Sequence, residues 1–299
     1  MKRDGQPAGP KAARRPTGGG CLYLVATPIG NLEDITLRAL RVLKEVDLIA
    51  CEDTRQTQKL LNHYGIPTRT ISYHEHNEMT RAAELVLDLE QGARIALVSD
   101  AGMPAISDPG YRLITLAIRH QVPVVPVPGA SAFVAALAGS GLPSDGFQFG
   151  GFLPAKRGQR RNELERIRAA GHTQIYYEGP HRIVETMEDV VEVLGGSRHV
   201  VVAREVTKVH EEFLRGRADE VLEQLRARAA IKGEITLLIG KAVEGGERPA
   251  AAGKKTVRAR VEEVMRMKEV DEKAALKEVA RELGISKSEA YRQLQRTRK

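Results

Sequence analysis

Three short turns combine glycine, proline and small polar residues in the way a ligand-holding loop does. They are Thr27-Pro28-Ile29-Gly30-Asn31-Leu32, Ser99-Asp100-Ala101-Gly102-Met103-Pro104 and Pro128-Gly129-Ala130-Ser131. Glycine lets the main chain approach a ligand closely and proline fixes the direction of approach, while Asp100 and Ser131 add polar groups for orientation. Any turn needs these residue types for its own geometry, so one alone would carry little weight. Three at equivalent places mark a site. The sequence lacks GxxxxGK[ST], and no GxGxxG follows the first strand, because Gly18, Gly19 and Gly20 precede it. The remaining reading is a nucleoside ligand held largely by backbone groups.

Two charged runs offer groups that bind substrate or move a proton: Tyr176-Tyr177-Glu178-Gly179-Pro180-His181-Arg182 and the stretch from Arg204 to Glu212. Glu178, His181, Glu205, Lys208 and Glu211 are the candidates by placement. The other reading of Arg204, Glu205, Lys208 and Glu211 is a set of ion pairs within a β-hairpin. His74-Glu75-His76 puts two imidazoles on one side of an extended segment, but a metal site needs a third ligand that this spacing does not supply. No metal is expected. From Lys156 to Arg168, six Lys/Arg stand against Glu163 and Glu165. Lys156, Arg157, Arg160 and Arg161 are candidate contacts to a polyanion such as RNA or DNA, or else one solvated helix face.

These groups need elements to position them. Leu22–Ala26, Asp47–Cys51, Arg69–Ser72, Arg94–Ser99 and Val122–Val127 read as buried strands. Helical spacing falls between them at Thr36–Val46, Thr54–His63, Asn77–Leu89 and Tyr111–His120. Such alternation predicts an α/β domain with an open parallel sheet, whose ligand sits beyond the carboxyl ends of the strands. All three turns lie there. The second half reads as α/β with a mixed sheet: strands at Gln174–Tyr177, His199–Ala203, Glu212–Leu214 and Glu234–Ile239, and helices at Arg182–Leu194 and Ala218–Arg228.

Composition sets the outer limits. At 42% apolar and 28% charged, with no apolar run long enough for a membrane helix, the chain reads as globular and soluble. Cys21 and Cys51, without CxxC spacing, exclude a disulfide framework and a thiolate zinc site and suit a reducing cytoplasm. The net charge of +7 is uneven: residues 1–20 carry +4, residues 254–299 carry +6 and the body −3. Basic ends on a mildly acidic body suggest tethering to a polyanion. The expected organisation is a disordered basic arm at 1–20, α/β domains at 21–141 and 142–243, a linker at 244–255 and a helical segment at 256–299.

Eight runs, in order, resemble one family. They are LYLVATPIGNLEDITLRAL (Leu22–Leu40), ACEDTRQTQKLL (Ala50–Leu61), SYHEHNE (Ser72–Glu78), VSDAGMPAISDPG (Val98–Gly110), PVPGASA (Pro126–Ala132), GFLPAKRGQR (Gly151–Arg160), YYEGPHR (Tyr176–Arg182) and AREVTKVHEEFLRG (Ala203–Gly216). The family is that of the ribosomal RNA small subunit methyltransferases I, within the tetrapyrrole methylase superfamily of S-adenosylmethionine (SAM) dependent methyltransferases. The resemblance implies 2′-O-methylation of a cytidine in the decoding centre of 16S rRNA, by a homodimer of two-domain subunits with SAM in the interdomain cleft. It also implies SAM contacts from Asp100, Ala101, Gly102, Met103, Ser131, Ala132, Tyr177, Glu234, Ile235 and Thr236, beside the Pro28 and Gly30 turn. The tetrapyrrole-type GxGPG is replaced by Pro28-Ile29-Gly30-Asn31, which favours the RNA branch over a tetrapyrrole substrate.

The segment after Gly253 reads as amphipathic helices at Val257–Lys268 and Asp271–Leu283, a turn at Leu283–Ser288 and a basic helix at Lys287–Arg296. Its pattern is similar to a helix-turn-helix. It suits an RNA grip or simple helix packing, and it keeps open a second function class, a DNA-binding regulator that senses a nucleoside.

Overall fold

The apolar runs become two five-stranded sheets. The structure is a computed structural model and describes residues 19–242, 261, 264, 265, 271–282 and 287–296. The described residues fall into two compact units, one within 1–242 and the other within 243–299.

In the first sheet, β1 (Cys21–Val25), β2 (Leu48–Cys51), β3 (Thr70–Ser72), β4 (Arg94–Val98) and β5 (Val124–Val127) run parallel in the order β3-β2-β4-β1-β5. Successive side chains of a strand point to opposite faces, so two cores form. Ile95 and Leu97 pack with α3 (Glu78–Glu90) and α4 (Tyr111–Arg119), through Leu85, Leu89, Leu113 and Ala117. Ala96 and Val98 pack with α1 (Leu37–Glu45) and α2 (Thr54–His63), through Val42, Leu43 and Leu61. Each Leu or Ile buried this way contributes about 1.5–3 kcal/mol relative to exposure. The starts of α1 and α2 are fixed by Thr36, which accepts from the Ala39 N–H, and by Asp53, which accepts from the Arg55 N–H. The crossover after β1 leaves on one face and the one after β4 on the other. The crevice between those two strands is therefore a switch point where a ligand fits.

The second sheet holds β6 (Phe147–Phe152), β7 (Thr173–Glu178), β8 (His199–Arg204), β9 (Glu212–Arg217) and β10 (Ile235–Ile239), in the order β6-β7-β10-β8-β9. Only β6 and β7 pair in parallel, so the sheet is mixed. One face packs on α6 (Arg157–Ile167), α7 (Ile183–Leu194) and α8 (Ala218–Arg226). The other face packs on α5 (Ala132–Ser140), the helix after β5, through Ala136 and Leu137 against Ile175, Val201, Ala203 and Leu238. Helix α5 thus follows the last strand of the first sheet and lies on the second.

Two elements escaped the sequence reading. The α5 run AFVAALAGS is apolar on most sides and lacks the helical stripe of polar residues. In β6, Gly150 and Gly151 interrupt the strand pattern, and the pairing register shifts between Phe149 and Phe152. Elsewhere the strand and helix ends differ from the expected ones by a few residues at most.

In the second unit, α9 (Glu272–Glu282) and α10 (Lys287–Arg296) share an apolar cluster of Ala275, Leu276, Val279, Ala280, Ala290 and Leu294 with Val261 and Val264. Asp271 caps α9 by accepting the Ala274 N–H at 2.8 Å. The basic arm at 1–18, the 244–255 linker, most of the helix expected at Val257–Lys268 and the Leu283–Ser286 turn lie outside the described residues. Among the described residues, no helix is long and apolar enough to cross a membrane.

Candidate functional site

A cavity of about 350 Å³ opens where the carboxyl ends of the first sheet face β7 and β10 of the second. Its construction starts with main chain. The loops after β1 and β4 are joined by a two-bond bridge: the Thr27 N–H donates to the Gly102 carbonyl at 2.9 Å, and the Gly102 N–H donates to Thr27 at 3.1 Å. Gly102 sits at φ +80°, a left-handed conformation that side-chain-bearing residues rarely adopt. Beneath the bridge, the buried Thr27 hydroxyl donates to the Ser99 carbonyl and the Ser99 hydroxyl lies 3.3 Å from the Gly102 carbonyl. The loop after β5 completes this side with Ser131 and Ala132, where α5 begins.

The opposite wall is Tyr177, Ile235 and Thr236, held side by side because Tyr177 and Thr236 pair across β7 and β10. The Tyr177 ring is set edge-on against Phe149 at 4.9 Å and Phe152 at 5.5 Å. Ile29, Met103, Ile106 and Val206 add apolar surface, and Asp108 adds a carboxylate. Burial first, then the charges of Glu52 and Asp100, push Asp108 up to about 6, with Ser99 working the other way. The arrangement suits a small molecule with an apolar body, hydrogen-bonding edges and a positive centre.

The cavity brings together Ala101, Gly102, Met103, Ser131, Ala132, Tyr177, Glu234, Ile235 and Thr236 from the expected binding set. Pro28, Gly30 and Asp100 do not line it. Gly30 packs against Lys208, whose side chain occupies the space a Cβ would need, and the Asn31 N–H donates to the Thr207 hydroxyl at 3.2 Å. Gly30 and Asn31 therefore join the two sheet regions, while Ile29 of the same turn faces the cavity. Asp100 accepts the Asp53 N–H at 3.2 Å, which ties it to the start of α2.

The expected proton-moving residues are largely engaged. Glu178 is buried against the cavity, but its carboxylate accepts from the Gly179 N–H, the Thr186 hydroxyl and Arg182. This fixes the turn into α7. His181 is exposed and lies over Gly179, outside the lining. Lys208 bridges Glu205 at 2.9 Å and Glu234 at 3.2 Å, and Glu205 also accepts the Glu234 N–H. Glu211 accepts the Thr207 N–H at 2.7 Å. The ion-pair reading of this hairpin loop is the one the geometry supports.

The basic run on α6 is corrected in the same way. Helix α7 presents Glu185, Asp189 and Glu192 toward it, one turn apart. Arg160 is 1% exposed and sits 2.7 Å from Asp189, so it is not available to RNA. Arg157 pairs with Asp189 and Glu192, Arg161 with Glu192, Arg166 with Glu163 and Arg168 with Glu165. Lys156 remains exposed at the N-cap of α6. A local excess of positive charge in sequence is here matched by a helix distant in sequence.

Sequence reasoning passed over Asp108, Ser107 and Ile106, although the motif Val98–Gly110 contains them. The signal was loop length. Ser99 to Gly110 is far longer than a strand-to-helix turn needs, which marks a functional loop. Ala105, Ser107 and Gly110 hold positive φ within it. His74, Glu75 and His76 lie by a second, neighbouring cavity. Among the described residues, no group of three His, Cys, Asp or Glu could hold a metal ion.

A family model described as tetrapyrrole (corrin/porphyrin) methylases matches residues 21–222. The chain is 56% identical over 231 residues to the ribosomal RNA small subunit methyltransferase I of Halalkalibacterium halodurans, covering 76% of this chain and 79% of that one. It is 44% identical over 278 residues to the protein of the same name from Micromonospora olivasterospora, covering 93% and 87%. Among solved structures it resembles diphthine synthase, with a TM-score of 0.60 at 14% identity, over 75% of this chain and 91% of that one. It also resembles uroporphyrin-III C-methyl transferase from Thermus thermophilus complexed with S-adenyl homocysteine, with a TM-score of 0.52 at 22% identity, over 74% and 97%. Those two structural likenesses speak for the fold.

Proposed function

The chain belongs to the ribosomal RNA small subunit methyltransferase I family of the tetrapyrrole methylases, and from that membership we propose that it methylates the ribose 2′-hydroxyl of a decoding-centre cytidine in 16S rRNA. It is a SAM-dependent methyltransferase. The observation that supports the donor half of this reading is the cavity, whose bridged loops, apolar walls and one carboxylate without a counter-charge match the parts of SAM; the acceptor half rests on the family. Ala101, Gly102 and Met103 hold the donor from one side through main chain, and Tyr177, Ile235 and Thr236 hold it from the other. Ser131 and Ala132 close the end at the start of α5.

A sulfonium methyl is already activated, so its transfer asks the protein mainly for alignment of the nucleophile. A ribose hydroxyl is weakly acidic and needs an acceptor for its proton. The engaged carboxylates of Glu178, Glu205 and Glu211 keep structural duties. RNA contact falls to Lys156 and to the basic C-terminal helices, in a cytoplasmic homodimer whose symmetry extends the contact surface. RNA is recognised through its fold and through splayed nucleotides, so the assembled small subunit is the better substrate.

The test is transfer of labelled methyl from SAM to small ribosomal subunits, followed by mapping of the modified nucleotide. A 2′-O-methylcytidine in the decoding centre is expected. Label on a base, or on a tetrapyrrole in preference to RNA, overturns the reading.

A further inference from the structure

Helices α1 and α2 cover the same side of the first sheet, and what they leave facing solvent is cationic. Ala39, Val42 and Leu43 of α1 and Thr57 and Leu61 of α2 are buried. Helical spacing then puts Arg38, Arg41 and Lys44 outward on α1, and Arg55 and Lys59 outward on α2. Glu45 is the one carboxylate within these two helices. On the other side of the sheet, α3 and α4 carry Arg81, Arg112 and Arg119 against Glu78, Glu84, Asp88 and Glu90. The first sheet is thus cationic on one side and slightly acidic on the other. We infer that the outer face of α1 and α2 is a docking surface for the phosphate backbone of ribosomal RNA. The inference rests on the ribosomal RNA reading above and adds a surface to it.

The α2 part of this face is a groove of about 490 Å³, lined by Thr54, Arg55, Gln58, Lys59 and Asn62 with Thr70 of the edge strand β3. Every lining residue is polar and none is a carboxylate. Lys59 donates only to the neutral Gln56 side chain, at 2.9 Å, so its charge is left for an anion. Gln58 donates to the Asn62 side-chain carbonyl at 2.8 Å, which leaves the Asn62 amide as a donor beside it. Hydroxyls, amides and cations together are the groups that hold phosphate and sugar.

The carboxylates around this face are mostly matched. Glu45 pairs with Arg41, Asp47 with Arg94 and Asp53 with Arg55, while Glu33 and Asp34 sit in the turn before α1. Asp53 takes the Nε and one Nη of Arg55, whose side chain is 86% exposed, and leaves its other Nη for a further acceptor. Among the described residues, Arg38 and Lys44 have no carboxylate within 4.0 Å. This differs from α6, where Asp189 and Glu192 of α7 take up Arg157, Arg160 and Arg161. The face also adjoins the donor cavity: the Asp53 N–H at the start of α2 donates to Asp100 in the loop after β4. A backbone lying on it would run toward the cavity mouth, so phosphate contacts here would set the register of the target nucleotide.

The test is direct binding of small ribosomal subunits to the full-length protein by filter retention, repeated from about 50 to 200 mM salt. For the triple variant Arg38→Gln, Lys44→Gln, Lys59→Gln, Kd is expected to rise about tenfold or more and the salt slope to fall by about 3, one for each phosphate contact removed. At saturating subunits kcat should stay within about twofold of wild type, and so should the SAM Kd by calorimetry, because these contacts position the RNA without touching the reacting groups. The control is Arg81→Gln with Arg119→Gln on the other side of the sheet, which should leave the subunit Kd within about twofold. An unchanged Kd or salt slope in the triple variant overturns the surface. A loss as large in the control overturns it too, since net charge alone would then be responsible, and a loss that does not vary with salt overturns it in favour of a ribosomal protein as the partner. Wild-type protein that binds subunits through this face but transfers no methyl to them keeps the surface and sinks the methylation reading instead.

Discussion

The loops after β4 and after β8 both carry acidic residues to the ends of strands, yet their charges are handled in opposite ways. In the loop after β8, Lys208 sits between Glu205 and Glu234 and holds Glu205 below the ordinary carboxylate range. Glu212 next to it is held down to about 2 by Arg228 and Arg204. In the loop after β4, burial pushes Asp100 up and takes Asp108 to about 6, and Glu52 opposite is raised by burial and by Asp100. Matched charges build a turn, whereas buried carboxylates without a counter-charge hold their protons more tightly. The arginines of α6 against the carboxylates of α7 belong with the first kind.

The largest effect should come from filling the unmatched loop. Gly102→Leu places a side chain at φ +80° with Ile29 and the Ala130 carbonyl already near its Cβ. SAM affinity is expected to fall on the order of 100-fold, since strain and lost cavity space both act. An unchanged Kd by calorimetry would remove this loop from the donor site.

The second test, read in stability rather than in ligand affinity, is the loss of a matched charge. Asp189 is fully buried between Arg157 and Arg160, and Asp189→Ala leaves the buried Arg160 guanidinium without its closest counter-charge. A stability loss of about 3–5 kcal/mol in urea denaturation is expected. SAM affinity of the folded protein should stay as it was. A stability change near zero would show that the α6–α7 pairs do not organise this face.

The smallest effects sharpen the contrast through pH and through a half-exposed pair. Glu212 titrates below its ordinary 4.5, so its pairing stabilises the fold fully above pH 4.5 and less as pH falls toward 2. The advantage of wild type over Arg228→Met should shrink across that window, and an advantage independent of pH would contradict the pairing. Lys208→Met should cost about 1 kcal/mol or less and leave kcat within about twofold. A large loss in kcat would mean that the matched loop takes part in chemistry.

Much of this molecule was legible from apolar spacing. The alternation that gave β1 to β5 and α1 to α4 depends on neighbours within one element, which a sequence displays directly. Helix α5 was hidden because its run AFVAALAGS carries no polar side chain before Ser140, which leaves no polar stripe to mark its outer face. At the site, loop position was readable but loop direction was not. Asp100 and Asp108 share one motif, and only the course of the main chain turns one toward Asp53 and the other into the cavity. The basic run on α6 looked like an RNA contact because Asp189 and Glu192, which neutralise it, lie about a helix and a strand away in sequence.

The Thr27–Gly102 bridge bears on how such a protein can change over generations. Both of its hydrogen bonds run between main-chain atoms, so beyond the missing side chain at Gly102 the joint draws only on the Thr27 and Ser99 hydroxyls beneath it. Substitutions can accumulate elsewhere in the cavity wall, at Ile106 or Val206, without unfastening the two loops that frame it. The shape of the cavity can thus drift while its main-chain frame is inherited intact.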